Sequence, residues 1–148
     1  MTASFTPAPP TPPGPPTPPL LWHSLPHAPE PGTLLGQHEA LKDGQVLMQQ
    51  VFAAADTAQQ YPFRILLLRS GAEVKAFVNR CAHFGVPLAS RQELLQFQPH
   101  TSLSCNVHYA RYRWSDGVCD RGDCVGEALI AIPLQVDTAG AIRIAHLA

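Results

Sequence analysis

With 148 residues, 45% of them hydrophobic, the chain can bury one real core but is too short for two ordinary domains, so a single site is expected to carry its function. Ten basic and eleven acidic residues leave a formal charge of −1, which provides no field to attract nucleic acid or anionic lipid. No run approaches the ~20 apolar residues that cross a bilayer, and the first residues lack the basic start and apolar block of a secretory signal, so a cytoplasmic protein with no membrane partner is predicted.

Twelve of the 16 prolines precede residue 32, among them the run TPAPPTPPGPPTPP. Such a segment cannot form regular backbone hydrogen bonds or bury much apolar surface, so residues 1–32 read as a proline-rich disordered tail and 33–148 as the domain, with order setting in between Trp22 and Leu34. A docking ligand for an aromatic groove and a plain spacer both fit this composition. Beyond it, short aliphatic and β-branched runs alternate with turn signals, which predicts an all-β chain. Gln45 to Phe52 follows Asp43-Gly44, and Phe63 to Arg69 turns through Ser70-Gly71 into Val74 to Val78. The run CAHFGVPLA comes next, and then Ala89 to Leu95, the one segment with a helical pattern. The run CNVHYARY follows, then CDRGDC, and Ile130 to Val136 turns through Thr138-Ala139-Gly140 into Ala141 to Ala145.

Two of these runs carry metal-ligand types. Cys81 and His83 form a C-x-H pair and, after an interval of 21 residues, Cys105 and His108 form a C-x-x-H pair. Two thiolates and two imidazoles on separate loops can converge on one metal centre. A structural zinc satisfies the same count. Zinc fingers, however, usually pair cysteine with cysteine and histidine with histidine, whereas here each loop offers one of each, which suits two irons with both thiolates on one and both imidazoles on the other. Cys119 and Cys124, with four residues between them in CDRGDC, read as buried small hydrophobes or, less readily in a reducing compartment, as a disulfide.

From Leu34 onward the chain resembles Rieske ferredoxins and Rieske domains, on the runs FVNRCAHFGVPLA, CNVHYARYRWSDG and CDRGDCVGEAL leading into IPLQV and DTAGAIRI. The resemblance implies a small antiparallel β-sandwich with two hairpin-like loops at one end. It implies one 2Fe-2S cluster, with Cys81 and Cys105 on the inner iron and His83 and His108 on the outer. The interval between the loops is longer than usual, so Ser90 to Ser104 is expected to be an excursion outside the site. Tyr109 replaces the glycine common after the second histidine, and Gly122-Asp123 replaces a Gly-Pro pair in the covering loop.

High-potential relatives place a serine, a tyrosine and an inter-loop disulfide around the cluster. This chain has Ala110, Tyr112 and no cysteine pair at those places, so its potential is expected in the low half of the Rieske range of roughly −150 to +300 mV. Tyr112 stands as either a sulfur hydrogen-bond donor or a core aromatic. Arg80, Arg111 and Arg113 flank the loops, either as solvated surface groups or as guides for an acidic partner. No nucleophile with a base and no nucleotide-binding glycine loop is evident, so no catalytic residue is expected. The predicted role is single-electron transfer between a reductase and a terminal oxygenase or another redox partner. The alternative is a structural or regulatory zinc or 2Fe-2S domain, or a small subunit of a larger redox assembly.

Overall fold

The computed structural model describes residues 21–82, 85–106, 109–122 and 124–146. Eleven strands lie in these residues: β1 Leu34–Gln37, β2 Val46–Val51, β3 Phe63–Ser70, β4 Glu73–Val78, β5 Gln96–Gln98, β6 Ser102–Ser104, β7 Arg111–Arg113, β8 Cys119–Arg121, β9 Ala131–Ile132, β10 Leu134–Val136 and β11 Ala141–Ile144. They pair antiparallel into three sheets, ordered β1-β11-β10, β2-β3-β4-β9 and β5-β6-β7-β8. The all-β expectation holds. Among the described residues the only helical pieces are 3-10 turns at Trp22–Ser24, His38–Ala40 and Gln92–Leu94, so the helical pattern over 89–95 yields one turn.

The run FRILLLRS explains how one sheet serves two cores. Side chains alternate faces along a strand, so a strand covered on both sides must be apolar at successive positions. On β3, Ile65 and Leu67 pack with Phe63, Leu35, Ile142 and Ile144, while Leu66 and Leu68 pack with Val46, Phe77, Cys81, Cys105 and Tyr112. β4 alternates likewise, Ala76 and Val78 facing the first core and Phe77 the second. The middle sheet thus separates a terminal core from one that contains all four cysteines.

Two expectations need correction. Ser90 to Ser104 is not an excursion: it supplies β5 and β6, and β6 pairs with β7 in the sheet that leads to Cys105. A glutamine fastens its start to the middle sheet, Met48 N–H donating to Gln92 Oε1 at 2.6 Å and Gln92 Nε2 to the Val46 carbonyl at 2.9 Å. Ile130 to Val136 is not one strand either. Proline lacks the N–H a ladder needs, and at Pro133 the chain leaves β4 and joins β11. Within the segment read as tail, Trp22 is 3% exposed and packs in the terminal core.

Candidate metal centre

Cys81 and Cys105 open two loops built on one backbone plan. In the first, Cys81 N–H donates to the Val86 carbonyl at 2.6 Å, and Gly85 N–H donates back to the Cys81 carbonyl at 2.9 Å. In the second, Cys105 N–H donates to the Ala110 carbonyl at 2.8 Å, and Tyr109 N–H donates to the Cys105 carbonyl at 2.9 Å. Both turns close through a left-handed residue at the same place, Gly85 at φ 70° and Tyr109 at φ 56°. Gly85 suits that position, since its φ is one that other residues adopt rarely and a Cβ would stand 3.2 Å from the Arg80 Nε. Tyr109 keeps the backbone path that its glycine counterpart has, at a cost of roughly 1–2 kcal/mol, and its ring is 77% exposed.

Side-chain amides hold the loops in place. Asn79 Oδ1 accepts from Leu88 N–H at 2.9 Å, which fixes the far end of the first loop to the residue after β4. Asn106 N–H donates to the Leu88 carbonyl at 2.8 Å and its Nδ2 to the Leu94 carbonyl at 3.1 Å, tying the second loop to the first. A third loop follows β8 and lies on the second, since a Cβ on Gly122 (φ 101°) would come within 3.0 Å of the Ala110 Cα.

Beneath the loops lies a buried polar group. Tyr112 Oη stands 3.2 Å from Cys81 Sγ, accepts from Ala82 N–H at 3.0 Å and accepts from Cys124 Sγ at 3.4 Å. Burial, followed by the neighbouring Cys124 and Cys81, pushes the phenol far above its ordinary pKa, so it keeps its proton. Burial likewise pushes the Cys124 thiol up to about 11. Cys119 Sγ donates to the Arg121 carbonyl at 3.2 Å, and neither Cys119 nor Cys124 is in a disulfide. Arg111 and Arg113 form exposed ion pairs within the chain, with Asp120 at 2.8 Å and Asp116 at 2.5 Å.

Of the four ligand residues predicted, Cys81 and Cys105 are fully buried at the roots of adjoining loops, while His83 and His108 lie outside the described residues. Among the described residues no set of three or more histidine, cysteine, aspartate or glutamate side chains gathers at one point. The cysteine end nevertheless fits an iron-sulfur group. Its two sulfurs are dry, and one faces a protonated hydroxyl, an arrangement suited to thiolates that need charge stabilisation without water. Sequence reasoning singled out neither Asn79, Asn106 nor the contact of Cys124 with Tyr112. Lone amides and a thiol carry no periodicity, and only the folded chain brings them to their partners.

The Rieske [2Fe-2S] domain family matches residues 33–136. The terminal oxygenase component CarAa of carbazole 1,9a-dioxygenase from a Sphingomonas species is 43% identical over 54 residues, 36% of this chain and 14% of that protein. The solved terminal oxygenase of carbazole 1,9a-dioxygenase from Novosphingobium sp. KA1 superposes with a TM-score of 0.62 at 18% identity, over 81% of this chain and 31% of that one. The ferredoxin of carbazole 1,9a-dioxygenase from Nocardioides aromaticivorans IC177 superposes with a TM-score of 0.58 at 19% identity, over 80% of this chain and all of the ferredoxin. The chain therefore spans less than a third of either oxygenase component.

Proposed function

The chain belongs to the Rieske [2Fe-2S] domain family, and on that premise we propose that it carries single electrons between a reductase and a terminal oxygenase or other redox partner. Cys81 and Cys105 hold one iron and His83 and His108 the other. A cluster so bound supplies a one-electron site, and two neutral imidazoles in place of thiolates raise its potential over an all-cysteine cluster. The protein's own contribution is to position and insulate. The matched loops bring two buried sulfurs to one end of the fold, and Tyr112 places a hydroxyl against one of them. That pairing of loops is the observation that carries the reading.

The likeness to an entire ferredoxin supports a carrier role, and the likeness to terminal oxygenases points to an oxygenase as the acceptor. We place the protein in the cytoplasm, since Cys119 and Cys124 lie side by side as thiols. No helix among the described residues is long and apolar enough to cross a membrane. The domain is assigned to residues 22–148, since Trp22 packs in the terminal core, with the proline-rich segment before it as a spacer.

Aerobic purification tests the proposal. The expected product is coloured, with about two irons and two acid-labile sulfides per chain and a Rieske-type electron paramagnetic resonance signal on reduction. Stoichiometric zinc without labile sulfide refutes it. Cys81→Ser or Cys105→Ser should abolish the cluster and much of the stability, because metal-binding energy is also folding energy.

A further inference from the structure

A phenol oxygen has one proton to give and two lone pairs to offer. Around Tyr112 Oη the backbone N–H of Ala82 takes one lone pair at 3.0 Å and the thiol of Cys124 takes the other, its sulfur at 3.4 Å. The remaining neighbour is Cys81 Sγ at 3.2 Å. A cysteine bound to iron is a thiolate and can only accept, so the phenol proton must point at it. The thiol proton of Cys119 is engaged elsewhere, on the Arg121 carbonyl at 3.2 Å. Tyr112 and Cys124 are at most 1% exposed, so water does not compete for these bonds.

Without a donor at position 124, the phenol oxygen has a lone pair unfilled and the bond it gives to Cys81 is less polarised. We infer that Cys124 is a positioning residue for the reduction potential: it fills that lone pair and so strengthens the bond that the Tyr112 hydroxyl gives to the Cys81 sulfur. Its route to the cluster is the phenol that it hydrogen-bonds. Chained hydrogen bonds strengthen one another by about 10–30% per bond, so its effect is smaller than that of the hydroxyl it acts through. The inference rests on the cluster assignment above, and the test separates the two.

Midpoint potentials are measured by protein-film voltammetry at one fixed pH for the full chain and for Cys124→Ala, Cys124→Ser, Tyr112→Phe and Cys124→Ala/Tyr112→Phe. Cys124→Ala should disfavour reduction by about 1.2- to 1.7-fold, a lowering of about 4–13 mV at 59 mV per tenfold. In the Tyr112→Phe background the same change should do nothing further, and Cys124→Ser, which keeps an O–H donor, should stay near the unsubstituted chain. An equal shift in both backgrounds, no shift in the unsubstituted chain, or a serine variant that behaves like alanine overturns the inference. If Cys124→Ala does not retain the cluster, Cys124→Val fills the space without a donor and carries the same comparison. Failure of the cluster assignment has a different sign, an unsubstituted chain lacking two irons and two labile sulfides, and it overturns both.

Discussion

At the scale of single residues, the phenol of Tyr112 stands 3.2 Å from the sulfur of Cys81, where it can donate to a ligand sulfur. A hydroxyl donated to a ligand sulfur withdraws electron density and favours the reduced state, so its removal makes reduction harder. A hydrogen bond of about 1 kcal/mol corresponds to about 40 mV for a one-electron couple, so Tyr112→Phe should lower the midpoint by roughly that amount. Voltammetry at fixed pH checks it, and an unchanged midpoint leaves Tyr112 as core packing alone. Backbone conformation is decided at this scale too. Gly85 and Tyr109 hold equivalent left-handed positions, and Tyr109 is tolerated because its side chain stands out in solvent instead of meeting a neighbour.

At the scale of elements, the strands set where the loops start, and side-chain ties hold them there. The 3-10 turn at Gln92–Leu94 is fastened to β2 by both ends of one amide, Gln92. Gln92→Ala should destabilise the fold by about 1 kcal/mol in denaturant titration and leave the midpoint potential unchanged, since the bonds lost lie on the middle sheet. A shifted potential refutes that separation of roles. The hairpin β7–β8 bears ion pairs instead. Asp120 is held below the usual carboxylate range by the hydrogen bond from Arg111, and Asp116 by that from Arg113. A depressed folded-state pKa adds stability above the ordinary carboxylate pKa near 4, and that stability fades as the pH falls through the folded value. Both pairs are exposed, so salt should mask them. Carboxyl NMR titration should find both aspartates ionising below their free-peptide values, with the depression shrinking at high ionic strength.

At the scale of the molecule, the middle sheet divides a core that carries stability from a core that carries the site. The two ends of the chain's proline-rich first segment should therefore respond differently to mutation. Deleting Met1 to Pro19 should leave iron content and thermal stability nearly unchanged, because that composition cannot bury apolar surface. Trp22→Ala, by contrast, removes a 3% exposed indole from the terminal core and should cost about 3 kcal/mol, with the cluster's spectrum preserved. Thermal unfolding of the two variants side by side tests the contrast. Loss of iron from the deletion, or an unchanged melting temperature for Trp22→Ala, contradicts it.

The sequence by itself determined the all-β character and the hairpins at Ser70-Gly71 and Thr138-Ala139-Gly140, because period-2 burial and turn chemistry are local properties that the residues record. It also carried the resemblance to the family, on the runs around Cys81 and Cys105, and the family match over residues 33–136 bears that out. Trp22 carried no such signal: a tryptophan among prolines reads as tail, and only long-range packing against Leu35 and Phe63 makes it core. The same holds for β5 and β6, three-residue strands whose pairing depends on neighbours far along the chain. Whether Tyr112 was a donor or a core ring stayed open in the sequence. What tertiary structure decided is that Cys81, Ala82 and Cys124, up to 31 residues away, meet around one buried oxygen that must satisfy its hydrogen bonds without water.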